Sequence, residues 1–193
     1  TGIDALVHAV GAYIGRSTTK ETRACAIEAV DLIRRYLKLA YDEPRNQEAR
    51  TAMLHAANRA GFAFSKSYVG YVHAVAHSLG GQYGTPHGLA NAVICPHILE
   101  MYGESCHKRL GELARKSGVA AENASDAEAS AYFIQWFKDL NASMGIPSVL
   151  EGIREEDIPM MARHANAEAN PLYPVPKLMD TCELMEVYRK IMA

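Results

Sequence analysis

The sequence predicts an all-α fold. Apolar residues recur at intervals of three and four along most of the chain, and three segments begin with the spacing of a helix capping box. No segment alternates polar and apolar residues over the length of a β-strand. We therefore expect residues 1–193 to form a single domain of about eight helices, with no sheet of more than two short strands.

Helix boundaries follow from capping residues and from glycine or proline breakers. Three pairs of residues have capping-box spacing, and each pair is predicted to open a helix: Thr18 with Glu21, Ser125 with Glu128, and Asp180 with Glu183. Pro44, the Gly80-Gly81 pair and Gly145 are expected to end helices. Helical patterns cover residues 3–15, 18–44, 46–66, 67–79, 86–102, 104–117, 125–145, 157–169 and the segment from 180 onward. The proline-rich segment from Asn170 to Pro176 is predicted to be an ordered loop or an extended stretch.

Composition and charge exclude several classes of protein. Hydrophobic residues make up 49% of the chain and charged residues 22%, which is typical of a globular protein. A net charge of -2 gives no reason to expect nucleic acid or an anionic membrane as a partner. No apolar run has the length of a membrane span, and no signal peptide precedes the first helix. Because the four cysteines are scattered, we expect reduced thiols in a cytoplasmic protein.

Four histidines lie at spacings that could bring their side chains together. His8 follows Asp4 by four residues, and His77 follows His73 by four, so each pair lies on one face of a helix. Both pairs lie in apolar surroundings, where a carboxylate is costly unless it is paired or bound to metal. The chain after the second pair could fold back and bring His87 to the same place.

A divalent cation would satisfy one carboxylate and several neutral imidazoles together. Three nitrogens and one oxygen suit a borderline metal such as Fe or Zn, and not Mg or Ca. The alternative is a non-catalytic helical interaction module, since a single helical histidine is more often a core or surface residue. The histidines without such neighbours are interpreted as structural or surface residues: His55, His97, His107 and His164. A phosphohydrolase of the HD type would need an adjacent His-Asp pair, and the sequence contains none.

Two segments resemble iron-containing (group III) alcohol dehydrogenases. Residues 1–8, TGIDALVH, resemble the metal-ligand helix of that family. The segment from Tyr71 to Pro96, with VHAVAHSLGGQYGTPHGLANAVICP, resembles its signature segment. Asn170-Pro171 and the last helix are similar to the family's C-terminal end, so the resemblance covers essentially the whole chain. It implies the helical, bundle-like C-terminal domain of the dehydroquinate synthase-like fold.

The resemblance also implies a ligand set. The positions that match the family's metal ligands, for Fe²⁺ or Zn²⁺, are Asp4, His8, His73 and His87. His77 matches a non-ligand histidine that faces the nicotinamide cofactor and assists proton transfer, and both His77 and His87 are expected to contact the cofactor. Spacing alone would instead pair His73 with His77. Ser78 departs from one common version of the family, which has proline there, and this bears on substrate or cofactor fit.

The implied activity is the NAD(P)-dependent interconversion of primary alcohols and aldehydes. In such a mechanism the metal lowers the pKa of the alcohol, and the alkoxide releases hydride to the nicotinamide. The family's dinucleotide-binding N-terminal domain has no counterpart in residues 1–193. The sequence starts at Thr1 and not at Met, which suggests a fragment of a longer protein. Because the dinucleotide-binding domain is missing from it, this fragment alone is expected to be inactive. A homo-oligomer is also expected. The alternative within this fold is a glycerol dehydrogenase-like polyol dehydrogenase, against which His8 favours the iron-type branch.

Overall fold

Nine α-helices form the fold of the computed structural model, which describes residues 1–193. They are α1 (Gly2–Ile14), α2 (Lys20–Asp42), α3 (Gln47–Ser67), α4 (Tyr71–Tyr83), α5 (His87–Tyr102), α6 (Glu104–Lys116), α7 (Asp126–Ser143), α8 (Ile158–Ala169) and α9 (Thr181–Ile191). A short 3-10 helix, Glu155–Asp157, leads directly into α8. The one β-type pairing is an isolated bridge between Leu150 and Met192. The predicted all-α fold is confirmed, with nine helices in place of about eight.

Helix α1 lies at the centre of the domain. It packs against α2, α3, α5 and α6, and nine of its thirteen residues are buried. A helix that is apolar on nearly every side needs partners all round, which explains its central position. Because Asp4 and His8 belong to this helix, its burial carries both polar side chains toward the interior. None of the nine helices combines the length and the apolar composition that crossing a membrane requires.

Two of the three predicted capping boxes are present, and the third is displaced by one residue. The confirmed boxes are Ser125 with Glu128 and Asp180 with Glu183. At the start of α2 the box is formed by Thr19 and Thr22, and not by Thr18 and Glu21. The Thr19 N–H donates to the Thr22 hydroxyl at 2.8 Å, and Thr22 is fully buried. Glu21 lies on the exposed side of the helix, where it pairs with Lys66.

The prediction that Gly80 and Gly81 end a helix is wrong. Helix α4 runs through both glycines to Tyr83 and ends at Gly84, which has a φ of +67°. A glycine inside a helix costs about 1 kcal/mol relative to alanine, and the packing of α4 against α5 and α8 offsets this cost. The helix ends where a residue adopts the left-handed conformation that closes a helix C-terminus. It begins at Tyr71, four residues later than predicted.

The loop after α8 is ordered, as predicted, because a buried tyrosine ties its two ends together. The Tyr71 hydroxyl donates to Asn170 Oδ1 at 2.6 Å and accepts from the Met179 N–H at 2.9 Å. The Asn170 amide also donates to the Met179 carbonyl at 3.0 Å. These contacts hold the loop against the start of α4, close to the segment that carries His73 and His77.

Candidate metal centre

Three helices bring the four predicted ligand residues together around one carboxylate. Asp4 lies in the first turn of α1, and His8 lies one turn later on the same face. His73 lies in the first turn of α4, and His87 is the first residue of α5. The short connection between α4 and α5 turns the chain back, so that the start of each helix faces α1.

The distances between these side chains fit a group that could hold a metal ion. The Nε2 atoms of His8 and His73 each lie 3.8 Å from an Asp4 carboxylate oxygen, and His87 Nε2 lies 3.5 Å away. These separations are too long for hydrogen bonds. They are close to the roughly 3.4 Å that separates two ligands of a tetrahedral zinc site with bonds of about 2.0–2.2 Å. The ligand atoms of Asp4, His8 and His73 all lie within 4.8 Å of one another, whereas His87 is outside that group of three.

The His73 imidazole is buried and the His8 imidazole is half-buried, which favours the neutral form of both rings. Burial lowers the pKa of His73 to about 2 and also lowers the pKa of His8, although Asp4 acts in the opposite direction on His8. His73 Nε2 and His8 Nδ1 are buried with no hydrogen-bond partner. A buried polar atom without a partner is costly, and a cation beside Asp4 would give His73 Nε2 a partner. Neutral imidazole is also the form that binds metal.

Asn91 contacts both the Asp4 carboxylate and the His87 imidazole. It is fully buried, and its side-chain N–H groups donate to Asp4 Oδ1 at 2.6 Å and to His87 Nε2 at 3.0 Å. The opposite amide orientation would set the carbonyl oxygen against the carboxylate, so electrostatics fixes this assignment.

The His8 ring is held between two other rings. It stacks on Phe64 from α3, with centroids 3.9 Å apart, and on His73 on its other side, at 4.3 Å. Sequence reasoning missed both Phe64 and Asn91. Asn91 carried a signal, because it follows His87 by four residues on the same helix. Phe64 did not, because nothing local distinguishes it from a core phenylalanine.

His77 lies beside the group and does not join it. Its ring centroid is 6.1 Å from that of His73, and it stacks on His87 at 5.3 Å with an interplanar angle of 15°. Its Nδ1 lies 2.8 Å from Glu168 Oε1, on α8. The ring borders a cleft of about 350 Å³ between α4 and α8, which Ser78 and His164 also line. Spacing alone would place His73 and His77 in the same group of ligands, and this grouping is wrong. His77 instead contacts Glu168 on α8.

The other histidines stay away from the cluster. These are His55, His97, His107 and His164, and none of them lies in the group of candidate ligands. His55 and His164 are exposed. Burial lowers the pKa of His97, which is half-buried near Glu100. Their interpretation as structural or surface residues agrees with these positions.

Comparison with known proteins identifies the family. The profile of the Fe-containing alcohol dehydrogenase family, C-terminal domain, matches residues 1–192. The chain belongs to the iron-containing alcohol dehydrogenase family. It is 40% identical over 173 residues to alcohol dehydrogenase 4 of Saccharomyces cerevisiae, covering 88% of this chain and 44% of the yeast protein. It is 38% identical over 192 residues to the 1,3-propanediol dehydrogenase of Citrobacter freundii, covering 98% of this chain and 49% of that protein.

Two solved structures have the same fold as this chain. The crystal structure of a 1,3-propanediol oxidoreductase superposes with a TM-score of 0.92 at 36% identity, covering 99% of this chain and 50% of the other. An alcohol dehydrogenase from Oenococcus oeni also gives 0.92, at 33% identity, and covers 99% and 50% of the two chains. The chain therefore spans about half the length of the relatives that it matches.

Proposed function

We propose that this chain is the metal-binding half of an NAD(P)-dependent alcohol dehydrogenase that interconverts primary alcohols and aldehydes. The observation that carries this proposal is the set of three imidazole nitrogens 3.5 to 3.8 Å from the Asp4 carboxylate. The names of the relatives, an alcohol dehydrogenase and a 1,3-propanediol dehydrogenase, support the same reaction class.

The ligand set fits a borderline divalent metal, Fe²⁺ or Zn²⁺. The residues that would hold it are Asp4, His8, His73 and His87. A metal bound there would act as a Lewis acid and lower the pKa of a substrate hydroxyl. His8 and His73 contribute neutral nitrogen donors that need no deprotonation, and Asp4 contributes one negative charge. Asn91 keeps that carboxylate in place by donating to Oδ1.

His77 is suited to accept the proton of the alcohol. Its side chain is 45% exposed at the cleft between α4 and α8, so it can exchange protons with water. Its stacking on His87 keeps it next to the ligand group without making it a ligand. We assign the nicotinamide-facing side of the site to His77 and His87, which together form one wall of the cofactor cleft.

The other wall would come from a dinucleotide-binding domain, and the active enzyme would be a homo-oligomer of such two-domain chains. Residues 1–193 supply no phosphate-binding loop, and holding a cofactor against its substrate accounts for much of the rate of such reactions. We therefore expect the 193-residue chain to fold and bind metal, but to show negligible turnover of primary alcohols with NAD or NADP. Turnover should appear when a separately produced dinucleotide-binding half is added. Alcohol dehydrogenase activity of the 193-residue chain by itself would contradict the proposal that a second domain must hold the cofactor.

The two stacked histidines provide a matched pair of variants that tests the ligand assignment. His87→Ala should lower zinc affinity by more than about 100-fold, because even loss of a group that only supports a ligand costs about 10- to 100-fold. His77→Ala removes the neighbouring ring and should leave zinc affinity unchanged. Isothermal titration with Zn²⁺ at one pH measures both. Equal affinities for the parent and the two variants would overturn the ligand set and the proposed function with it.

A diol substrate is a specific form of this proposal. The similarity to a 1,3-propanediol dehydrogenase, over 98% of the chain, favours it. The reconstituted enzyme would be assayed with 1-propanol and with 1,3-propanediol. A higher kcat/KM for the diol supports this form, and a higher value for 1-propanol favours simple primary alcohols.

A further inference from the structure

A glutamate from another helix holds the ring of His77. Helices α4 and α8 pack together, and Glu168 Oε1 lies 2.8 Å from His77 Nδ1. An ionised carboxylate can only accept hydrogen bonds, so the proton in this contact must be on Nδ1. In the neutral ring this leaves Nε2 without a proton. The hydrogen bond thus selects one of the two imidazole tautomers.

The glutamate is itself fixed by a second donor. The Tyr173 hydroxyl, from the loop after α8, donates to the same Oε1 atom at 2.8 Å. Burial, together with this hydrogen bond, raises the pKa of Tyr173 to about 12, so the hydroxyl keeps its proton and remains a donor. The carboxylate is 32% exposed, and the loop that carries Tyr173 is tied down through Tyr71 and Asn170. Glu168 therefore receives donors from two separate segments of the chain.

Two contacts together restrict His77. The His87 ring lies against its face, 5.3 Å away and nearly parallel, which limits tilting of the ring. The bond to Glu168 limits rotation within the plane of the ring and prevents exchange of the two nitrogens. Without Glu168, the described contacts leave neither nitrogen of His77 with a partner.

We propose that Glu168 is a positioning residue for His77, which holds the neutral imidazole as the Nδ1–H tautomer and keeps Nε2 free to accept a hydrogen bond from a hydroxyl donor. This role for Nε2 rests on the proposed function, whereas the selection of the tautomer rests only on the contact between α4 and α8. The proposal explains why His77 stays apart from the ligand group although its spacing from His73 would let it join.

The test is the ¹⁵N NMR spectrum of the His77 ring in the zinc-loaded 193-residue chain. Spectra are recorded at about pH 8.5, and His77 is assigned from the signals that vanish in His77→Gln. The parent should show a protonated Nδ1 and a bare Nε2, with a tautomer ratio of about tenfold or more in that direction, as expected for a hydrogen bond to a charged group. Glu168→Leu should shift the ratio at least about tenfold toward Nε2–H.

Matched variants separate positioning from general disruption of the fold. Glu168→Gln retains a carbonyl oxygen that can accept from Nδ1–H, so it should restore the parent tautomer. Glu122→Leu, at an exposed glutamate between α6 and α7, should leave the His77 signals unchanged. The circular dichroism of each variant reports its folding. A bare Nδ1 in the parent, or an unchanged ratio in folded Glu168→Leu, would overturn the proposal.

Zinc content measured on the same samples distinguishes this inference from the proposed function. A Glu168-dependent tautomer in a chain that binds no zinc would support the positioning role and refute the metal-dependent function. A chain that binds zinc while its His77 tautomer is independent of Glu168 would refute the positioning role alone.

Discussion

Acid should destabilise the metal-free chain through His73. This side chain is 4% exposed, and burial lowers its pKa to about 2. In the unfolded chain the pKa returns to about 6.5. Between these values the unfolded state binds one proton more than the folded state at this residue, so stability falls as pH falls. The loss begins near pH 6.5 and continues down to the folded-state pKa.

The size of the effect follows from proton linkage. One proton of difference changes the free energy of unfolding by a little over 1 kcal/mol per pH unit, so lowering the pH from about 6.5 to 4.5 should cost about 2–3 kcal/mol. Such a loss is a large share of the roughly 5–15 kcal/mol that holds a domain folded. The pKa of His8 is lowered by burial too and acts in the same direction.

Urea unfolding followed by circular dichroism, at a series of pH values without metal, measures this loss. His73→Gln should reduce the slope of stability against pH in this range by about one proton. His55→Gln is the matched control, because it removes a histidine from the exposed face of α3. Parallel stability curves for the parent and His73→Gln would refute the reasoning.

Three further predictions concern the support of the site and the packing of the helices. Asn91→Leu should weaken zinc binding about 10- to 100-fold, because its amide donates to Asp4, and isothermal titration would contradict this if the affinity stayed the same. Gly111→Ala should destabilise the chain by about 1–3 kcal/mol, since a Cβ there would lie 2.6 Å from the Asp126 carbonyl oxygen. Gly61→Ala, in helix α3 with open space around it, should instead stabilise the chain by about 0.5–1 kcal/mol in the same urea assay, and a reversed order of the two glycine variants would contradict both.

Local signals in the sequence identified most helices but not every boundary. The Ser125 and Asp180 boxes were predictable because the cap and its partner are three residues apart. The end of α4 was predicted at the wrong glycines because the sequence does not tell which glycine adopts a positive φ. Of Gly80, Gly81 and Gly84, only Gly84 does so. The displacement of the first box to Thr19 depends on which side of α2 is buried, and tertiary packing decides this.

The sequence also predicts only part of the candidate site. The pairing of Asp4 with His8 follows from helix geometry alone, since a spacing of four places both on one face. The same rule applied to His73 and His77 gives a wrong grouping, and the resemblance to the family was needed to separate them. The physical reason is Glu168, 91 residues away in the sequence, which holds His77 by a contact that no local pattern encodes.

The most direct test of the central claim is a crystal structure of the zinc-loaded chain with anomalous diffraction data collected at the zinc edge. We predict one anomalous peak per chain, bonded at about 2.0–2.2 Å to one carboxylate oxygen and three imidazole nitrogens. The four residues that supply these atoms should be Asp4, His8, His73 and His87, and His77 should remain bonded to Glu168. A peak elsewhere in the chain, or one with His77 in place of His87, would contradict the account.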